Sequence, residues 1–159
     1  MNDNIVNATL TEALEKPDRQ HVLERLSDWR RRVHALYDAV QTSLGVNYTF
    51  DRSGKQKSGE NQVQRAGIDP AEVPQLDLLR VERDGRLVAT FLPRGLWIIG
   101  ANGRVDMIIS PRSGGHRFYQ LFDRSLPMSG ETDWRIVRPS DNPLQRPPFM
   151  AERLRELLE

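Results

Sequence analysis

Apolar and polar positions along the chain follow two different periods, and the change of period divides it. From Asp18 to about Leu44 the apolar residues Val22, Leu26, Trp29, Val33, Leu36 and Val40 recur at alternating intervals of four and three. That spacing sets them in one stripe of a helix, which Leu23, Tyr37 and Leu44 widen. Glu24, Arg25, Asp28, Arg31, Arg32, Asp38 and Gln41 fall on the other side and predict a solvated face, with Gly45 as the stop. Such a helix is about 40 Å long at ~1.5 Å per residue. A small sheet needs less, so part of the stripe, with Trp29 in it, is expected to meet a partner. Residues 7–16 predict a shorter helix ahead of it, with Leu10 and Leu14 one turn apart and Pro17 ending it.

From Leu76 onward the period is two. Residues 77–83 and 86–92 flank Asp84-Gly85, and residues 96–101 and 104–110 flank Asn102-Gly103. Both dipeptides suit a two-residue hairpin turn with positive φ at both central positions. The second hairpin then pairs Ala101 with Arg104 and Ile98 with Met107. It gathers Leu96, Ile98, Gly100, Val105, Met107 and Ile109 on one dry face. Trp97, Ile99 and Ile108 share the other face with Asp106. The C-terminal helix is expected to cover that second face; left uncovered, Trp97 would belong to a docking patch. The first hairpin pairs Val81 with Val88 and Leu78 with Phe91. It also sets Arg83 against Arg86, like charges that imply an exposed end or an anion between them.

Further strands are predicted over Arg117–Phe122 and Trp134–Arg138, and FMAERLRELLE closes the chain as a helix burying Met150, Leu154, Leu157 and Leu158. Between the two halves, DRSGKQKSGENQ (51–62) has no apolar residue and predicts a flexible, solvated loop. Val46, Tyr48 and Phe50 alternate before it as a short edge strand, and 68–75 reads as one helical turn between breakers. No connection between strands is long enough for a crossover helix, so the sheet is expected to be antiparallel. The predicted architecture is a single α+β domain. A long N-terminal amphipathic helix (18–44) and a short C-terminal helix (148–159) pack on an antiparallel meander of five or six strands (76–138).

Composition narrows the chemistry. A length of 159 residues fits one domain, and the absence of cysteine excludes disulfides and thiolate metal sites. The net charge is +1, with 20 arginines against 3 lysines. Arginine suits planar contacts to carboxylate and phosphate, although a GC-rich genome raises its frequency as well. The opening MNDNIVNATL has no basic segment followed by an apolar one, and no apolar run approaches the roughly 18 residues of a membrane span. A cytoplasmic protein is expected.

Asp106 is the acid best placed for catalysis. The segment GRVD (103–106) opens one strand, and FYQLF (118–122) puts Gln120 on the next. This arrangement resembles the PD-(D/E)xK nuclease pattern, in which an acid on one strand and an E/Q-x-K on the next bring two metal-binding groups and a lysine together. The resemblance covers about 20 residues and implies a divalent cation beside a scissile phosphate. The sequence departs from it at the lysine position, where Phe122 stands. The alternative is a structural aspartate paired with Arg104 or another arginine.

The loop PRSGGHR (111–117) is a second candidate, an anion nest of Arg112, Gly114, Gly115, His116 and Arg117. No helix follows it, so it is not a P-loop, and a plain connection between strands explains the same residues. Arg25, Arg30, Arg31, Arg32, Arg52, Lys55 and Lys57 suggest a basic surface, but Glu24, Asp28 and Asp38 interleave with them. His21, His34 and His116 lack metal-ligand spacing, so neither a metal nor a cofactor is expected. The expectation is therefore a binding module for another protein or for a second copy of itself, rather than an enzyme. A degenerate PD-(D/E)xK-like nuclease and a non-catalytic nucleic-acid binder are the alternatives.

Overall fold

The computed structural model describes residues 3–14, 17–141 and 146–159. Helix α1 spans Asp3–Leu14 and α2 spans Arg19–Leu44. The first starts earlier than its pattern suggested and buries Ile5, while Leu10 is 37% exposed; the Leu14 side chain and residues 15–16 lie outside the described set. Helix α2 begins where the Asp18 carboxylate accepts the His21 amide at 3.0 Å and ends at Gly45, whose φ is +73°. These are the residue types that helix ends favour.

Eight strands follow: β1 (Thr49–Asp51), β2 (Lys55–Gln56), β3 (Leu76–Asp77), β4 (Leu79–Arg83), β5 (Arg86–Gly95), β6 (Arg104–Ile109), β7 (Arg117–Asp123) and β8 (Trp134–Val137). Six form one antiparallel sheet in the order β1-β4-β5-β6-β7-β8, and β2 and β3 form a small one. Helix α3 (Asn61–Arg65) lies between the small strands, and α4 (Leu154–Leu158) closes the chain after a 3₁₀ turn. The α+β meander expected from the pattern is the fold observed.

The turn at Asp84-Gly85 forms as expected, with φ of +53° and +74° and Arg83 opposite Arg86. Beyond it the register shifts. Val81 faces Ala89 and Leu79 faces Phe91, in place of Val81 with Val88 and Leu78 with Phe91. Val88 is the extra residue of a bulge, which turns both Val88 (5% exposed) and Ala89 (1%) inward.

The second predicted hairpin does not form. Residues 96–101 are not a strand; β5 itself pairs with β6, Pro93 facing Val105 and Gly95 facing Arg104. The reversal falls at Ile99-Gly100, where Ala101 N–H donates to Ile98 C=O at 3.1 Å and Gly100 takes φ +84°. Asn102-Gly103 runs beside the end of β7: Asn102 N–H donates to Asp123 C=O at 2.6 Å and Asp123 N–H to Gly103 C=O at 3.1 Å. The dipeptide is pulled out of turn geometry because the core holds its side chain, as described below. Leu96, Val105, Met107 and Ile109 still make a fully buried wall, while Ile98 is only half-buried.

Residues 51–62, read as a flexible loop, are tied down. Arg52 and Lys55 pair with Asp77, Gln56 donates to Pro93 C=O, and the Glu60 carboxylate accepts Leu96 N–H at 2.7 Å and Trp97 N–H at 2.8 Å. Those bonds satisfy the amides of the irregular segment that leaves β5.

Register sorts the large sheet into two faces. Val81, Ala89, Phe91, Val105, Met107, Ile109, Tyr119 and Leu121 point toward α2 and are buried with it. The whole apolar stripe of α2, from Val22 to Leu44, is consumed in this core, so none of it is left for a partner. The C-terminal helix packs against α2 as well: Leu154 and Leu158 join the same core, and Arg155 donates to Leu44 C=O at 2.9 Å. Leu157 is half-buried and Met150 is 49% exposed. The second face of the sheet therefore lacks the cover expected of this helix.

Candidate functional site

That second face carries the candidate chemistry. Thr90, Ile108 and Phe118 lie in one row across β5, β6 and β7, and Leu92, Asp106 and Gln120 in the next; Phe122 follows beside Arg104 and Arg135. Leu92, Ile108, Phe118 and Phe122 belong neither to the core cluster nor to the apolar residues packed on it. Phe118 is 37% exposed, and the Arg146 guanidinium sits 5.2 Å above the Phe122 ring.

The sheet does set Asp106 opposite Gln120, the pair singled out in the sequence. Asp106 is 1% exposed, however, and both of its oxygens are engaged. Arg94 Nε donates to Oδ2 at 2.6 Å; Arg104 Nε donates to Oδ1 at 2.8 Å and its Nη2 to Oδ2 at 3.1 Å. These are charge-assisted bonds from two guanidiniums, and a cation would have to displace them. Among the described residues no group of three His, Cys, Asp or Glu side chains is close enough to share a metal ion. The arrangement locks three charged side chains into one flat patch.

A second polar cluster lies inside the molecule. Arg25 and Arg32, placed by their helical position on a solvated face, are 0% and 1% exposed. They flank Trp29 on α2 and point at the Asn102 segment. Arg25 Nη1 donates to Asn102 Oδ1 and Arg32 Nη1 to Asn102 C=O, both at 2.6 Å. Arg25 Nε pairs with Glu12 of α1 at 2.8 Å, and Arg32 pairs with Asp28 and Asp123 at 2.8 Å each. Burial pushes the Asp28 carboxyl up, but hydrogen bonds from Arg31 and Arg32 outweigh it and hold the group below the ordinary carboxylate value. Among the described residues each arginine's Nη2 is buried without a partner, so the clamp fixes the position of Asn102 more than it adds stability.

Trp29, expected on a partner surface, is 1% exposed: it lies under the Arg32 guanidinium and 6.1 Å from Trp134. Trp97 is half-buried against the core and donates its indole N–H to Glu12 at 3.1 Å, so it is part of this cluster and not of a free patch.

A third cluster fastens the small sheet to α2. Asp77 is held by Lys55 and by Arg52 Nε at 2.9 Å, its amide donates to His34 Nε2 at 3.2 Å, and its carbonyl accepts Tyr37 O–H at 2.9 Å. Burial lifts the Asp77 carboxyl, but the bonds from Lys55 and Arg52 prevail and keep it below its ordinary value. Burial holds His34 below the usual imidazole value, against the pull of Asp77, and drives the Tyr37 phenol far upward.

The 111–117 loop turns on its own backbone. Gly114 N–H donates to Pro111 C=O at 2.9 Å, and His116 Nδ1 pairs with Ser110 Oγ at 2.8 Å. Gly114, Gly115 and Arg117 are exposed at the tip and the strand start. Of the five, Arg112 lines a pocket, where it joins Arg83 and Arg86. No helix among the described residues is long and apolar enough to cross a membrane. Comparisons of the chain with protein-family models, with curated proteins and with solved structures found no match.

Proposed function

We propose that this chain is a protein-binding module that docks its partner on the face of the six-stranded sheet that no helix among the described residues covers. The observation that carries the reading is the group Leu92, Ile108, Phe118 and Phe122, apolar side chains on neighbouring rows outside the core, on the face opposite α2 and α4. An apolar centre edged by arginine is the usual composition of a protein interface. Here the edge is Arg80, Arg94, Arg104 and Arg135. Five strand spacings of ~4.8 Å and strands of about 20 Å give a patch on the order of 500 Å², the size of a small, transient interface.

The charges select the partner. Asp51, Glu82 and the covered Asp106 are the acids in these rows against four arginines, so the matching surface is an apolar patch rimmed by carboxylates. A second copy laid face to face would oppose arginines to arginines. Nucleic acid fits less well, because Arg94 and Arg104 are spent on Asp106 and Arg135 pairs with Asp133 at 2.9 Å.

A photo-crosslinking residue placed at Phe118 in the native cell tests the reading, with the fully solvated Val46 position as control. The expected result is a discrete heterologous adduct at 118, absent at 46 and lost when Arg94→Glu is added. Equal adducts at both positions would refute it, and an adduct of twice the chain mass would hand the face to a second copy.

A further inference from the structure

Far from that face, at the turn between β4 and β5, three arginines from three separate elements converge on one pocket. Arg83 ends β4, Arg86 starts β5, and Arg112 comes from the loop after β6. The pocket holds about 510 Å³ and is completed by Tyr48, Asp84, Val88, Leu158 and Glu159. That volume is in the range of small-ligand sites.

These guanidiniums differ from most arginines that shape the fold. Arg25, Arg32, Arg52, Arg94 and Arg104 each meet a carboxylate at 2.6–2.9 Å. In the pocket no carboxylate is that close. Arg83 is 3.6 Å from Glu159 and 4.0 Å from Asp84, both side chains largely exposed at 60% and 88%. Arg86 donates only to two neutral acceptors, the carbonyls of Ser110 at 3.2 Å and Pro111 at 2.6 Å. The Arg112 side chain has no partner among the described residues, and its backbone N–H donates to Leu158 C=O at 3.2 Å. The other two groups are held in place. The Arg83 guanidinium lies 5.4 Å over the Tyr48 ring with Nη1 3.4 Å from its hydroxyl, and Arg86 is pinned by its carbonyls. Arg83 and Arg86 face each other directly across the sheet, a pairing that costs stability unless an anion sits between them. Val88 and Leu158, 5% and 3% exposed, supply an apolar floor.

We infer that this pocket binds a small organic phosphate, its phosphoryl group bridging Arg83, Arg86 and Arg112 and its body resting on Val88 and Leu158. Guanidiniums met only loosely, by the exposed Asp84 and Glu159, suit a multivalent oxyanion better than a lone carboxylate, since a phosphate offers several oxygens to planar donors. The loosely held Glu159 carboxylate occupies the place the ligand would take and competes with it.

Isothermal titration with inorganic pyrophosphate at low ionic strength tests the inference. A saturable one-to-one site is expected, weakened at least tenfold (about 1.4 kcal/mol) by Arg112→Gln and by Arg86→Gln, and tightened severalfold by Glu159→Gln. The Arg112 side chain bonds nothing else among the described residues, and Gln keeps the backbone bond to Leu158 C=O, so this variant stays folded even where Arg86→Gln disturbs Ser110 and Pro111. Arg19→Gln, which removes an exposed arginine outside the pocket, is expected to leave the affinity unchanged. No saturable binding, or an equal loss in Arg19→Gln and Arg112→Gln, would overturn it.

Discussion

Replacing Gly103 by alanine strikes the point where the buried arginine clamp, Trp29 and the sheet meet. Gly103 has φ +120°, a conformation closed to residues with a side chain. A methyl carbon added there would lie 2.6 Å from Trp29 Cη2 and 2.8 Å from Cε3, and closer still to Cζ3. Trp29 has nowhere to retreat, being 1% exposed between Arg32 and Trp134. The backbone strain amounts to about 1–3 kcal/mol and the overpacking to a further ~1–3 kcal/mol. Together they remove a large part of the roughly 5–15 kcal/mol that holds a domain folded. With a urea m-value of about 2 kcal/mol/M, the midpoint should fall by about 1–3 M. Gly114→Ala is the matched control. Its φ is +99°, but a methyl there meets nothing within 4 Å, so only the strain applies. Equal midpoint shifts for the two variants would refute the Trp29 contact. Combining Gly103→Ala with Trp29→Leu should cost less than the two single changes added together, which gives an independent check.

Other outcomes follow from the clusters described above. Arg32→Met takes the ion partner from Asp123 Oδ2, in a carboxylate 0% exposed whose Oδ1 keeps the Ser125 and Asp133 amides, and should cost about 3 kcal/mol in chemical denaturation. Asp106→Ala should cost only about 1–2 kcal/mol, because Arg94 and Arg104 are 53% and 29% exposed and regain water. Phe118→Asp should leave stability within about 0.5 kcal/mol while abolishing partner binding; an unfolded variant would place Phe118 in the core instead. His34 sits below its ordinary pKa of 6.5, so the unfolded chain takes up this proton more readily than the folded one. Its contribution is full above that value and falls as the pH drops through it, so thermal melts between about pH 7 and pH 5 should show a shallower loss in His34→Gln. Asp77 contributes in a lower window: its depressed pKa adds stability above 3.8 that disappears as the pH falls through the folded value, and Asp77→Asn should lose that step.

The long helix was legible because its apolar spacing is regular and Asp18 and Gly45 mark its ends. The turn at Asp84-Gly85 was legible because nothing else competes for those two residues. Asn102-Gly103 carries the same local signal, yet Arg25 and Arg32 claim its side chain and carbonyl from across the core. No local pattern reveals such a claim, since two arginines seven residues apart beside an apolar stripe look like a solvated edge. The strand assigned to 96–101 failed for a related reason. Its amides are satisfied by Glu60, a residue from a polar stretch that reads as loop. At the candidate sites, strand register alone placed Asp106 against Gln120, and the two arginines covering the acid come from either side of that long irregular segment. Arg112 was picked out with its loop neighbours; the pocket it lines joins it to Arg83 and Arg86, whose opposition is visible in the hairpin.

The outer edges of the sheet bear on how the molecule behaves when concentrated. Beyond β8 the chain returns through residues 147–149: Pro148 faces Arg135, Ile136 N–H donates to Pro147 C=O at 2.9 Å, and Phe149 N–H donates to Trp134 C=O at 2.8 Å. Two successive prolines give the next layer no amide hydrogens, so lateral growth stops there. At the opposite side β1 is three residues long, too short to template a foreign strand. Association by strand addition is thereby suppressed at both margins, and the protein can keep a flat apolar surface in water without seeding fibres.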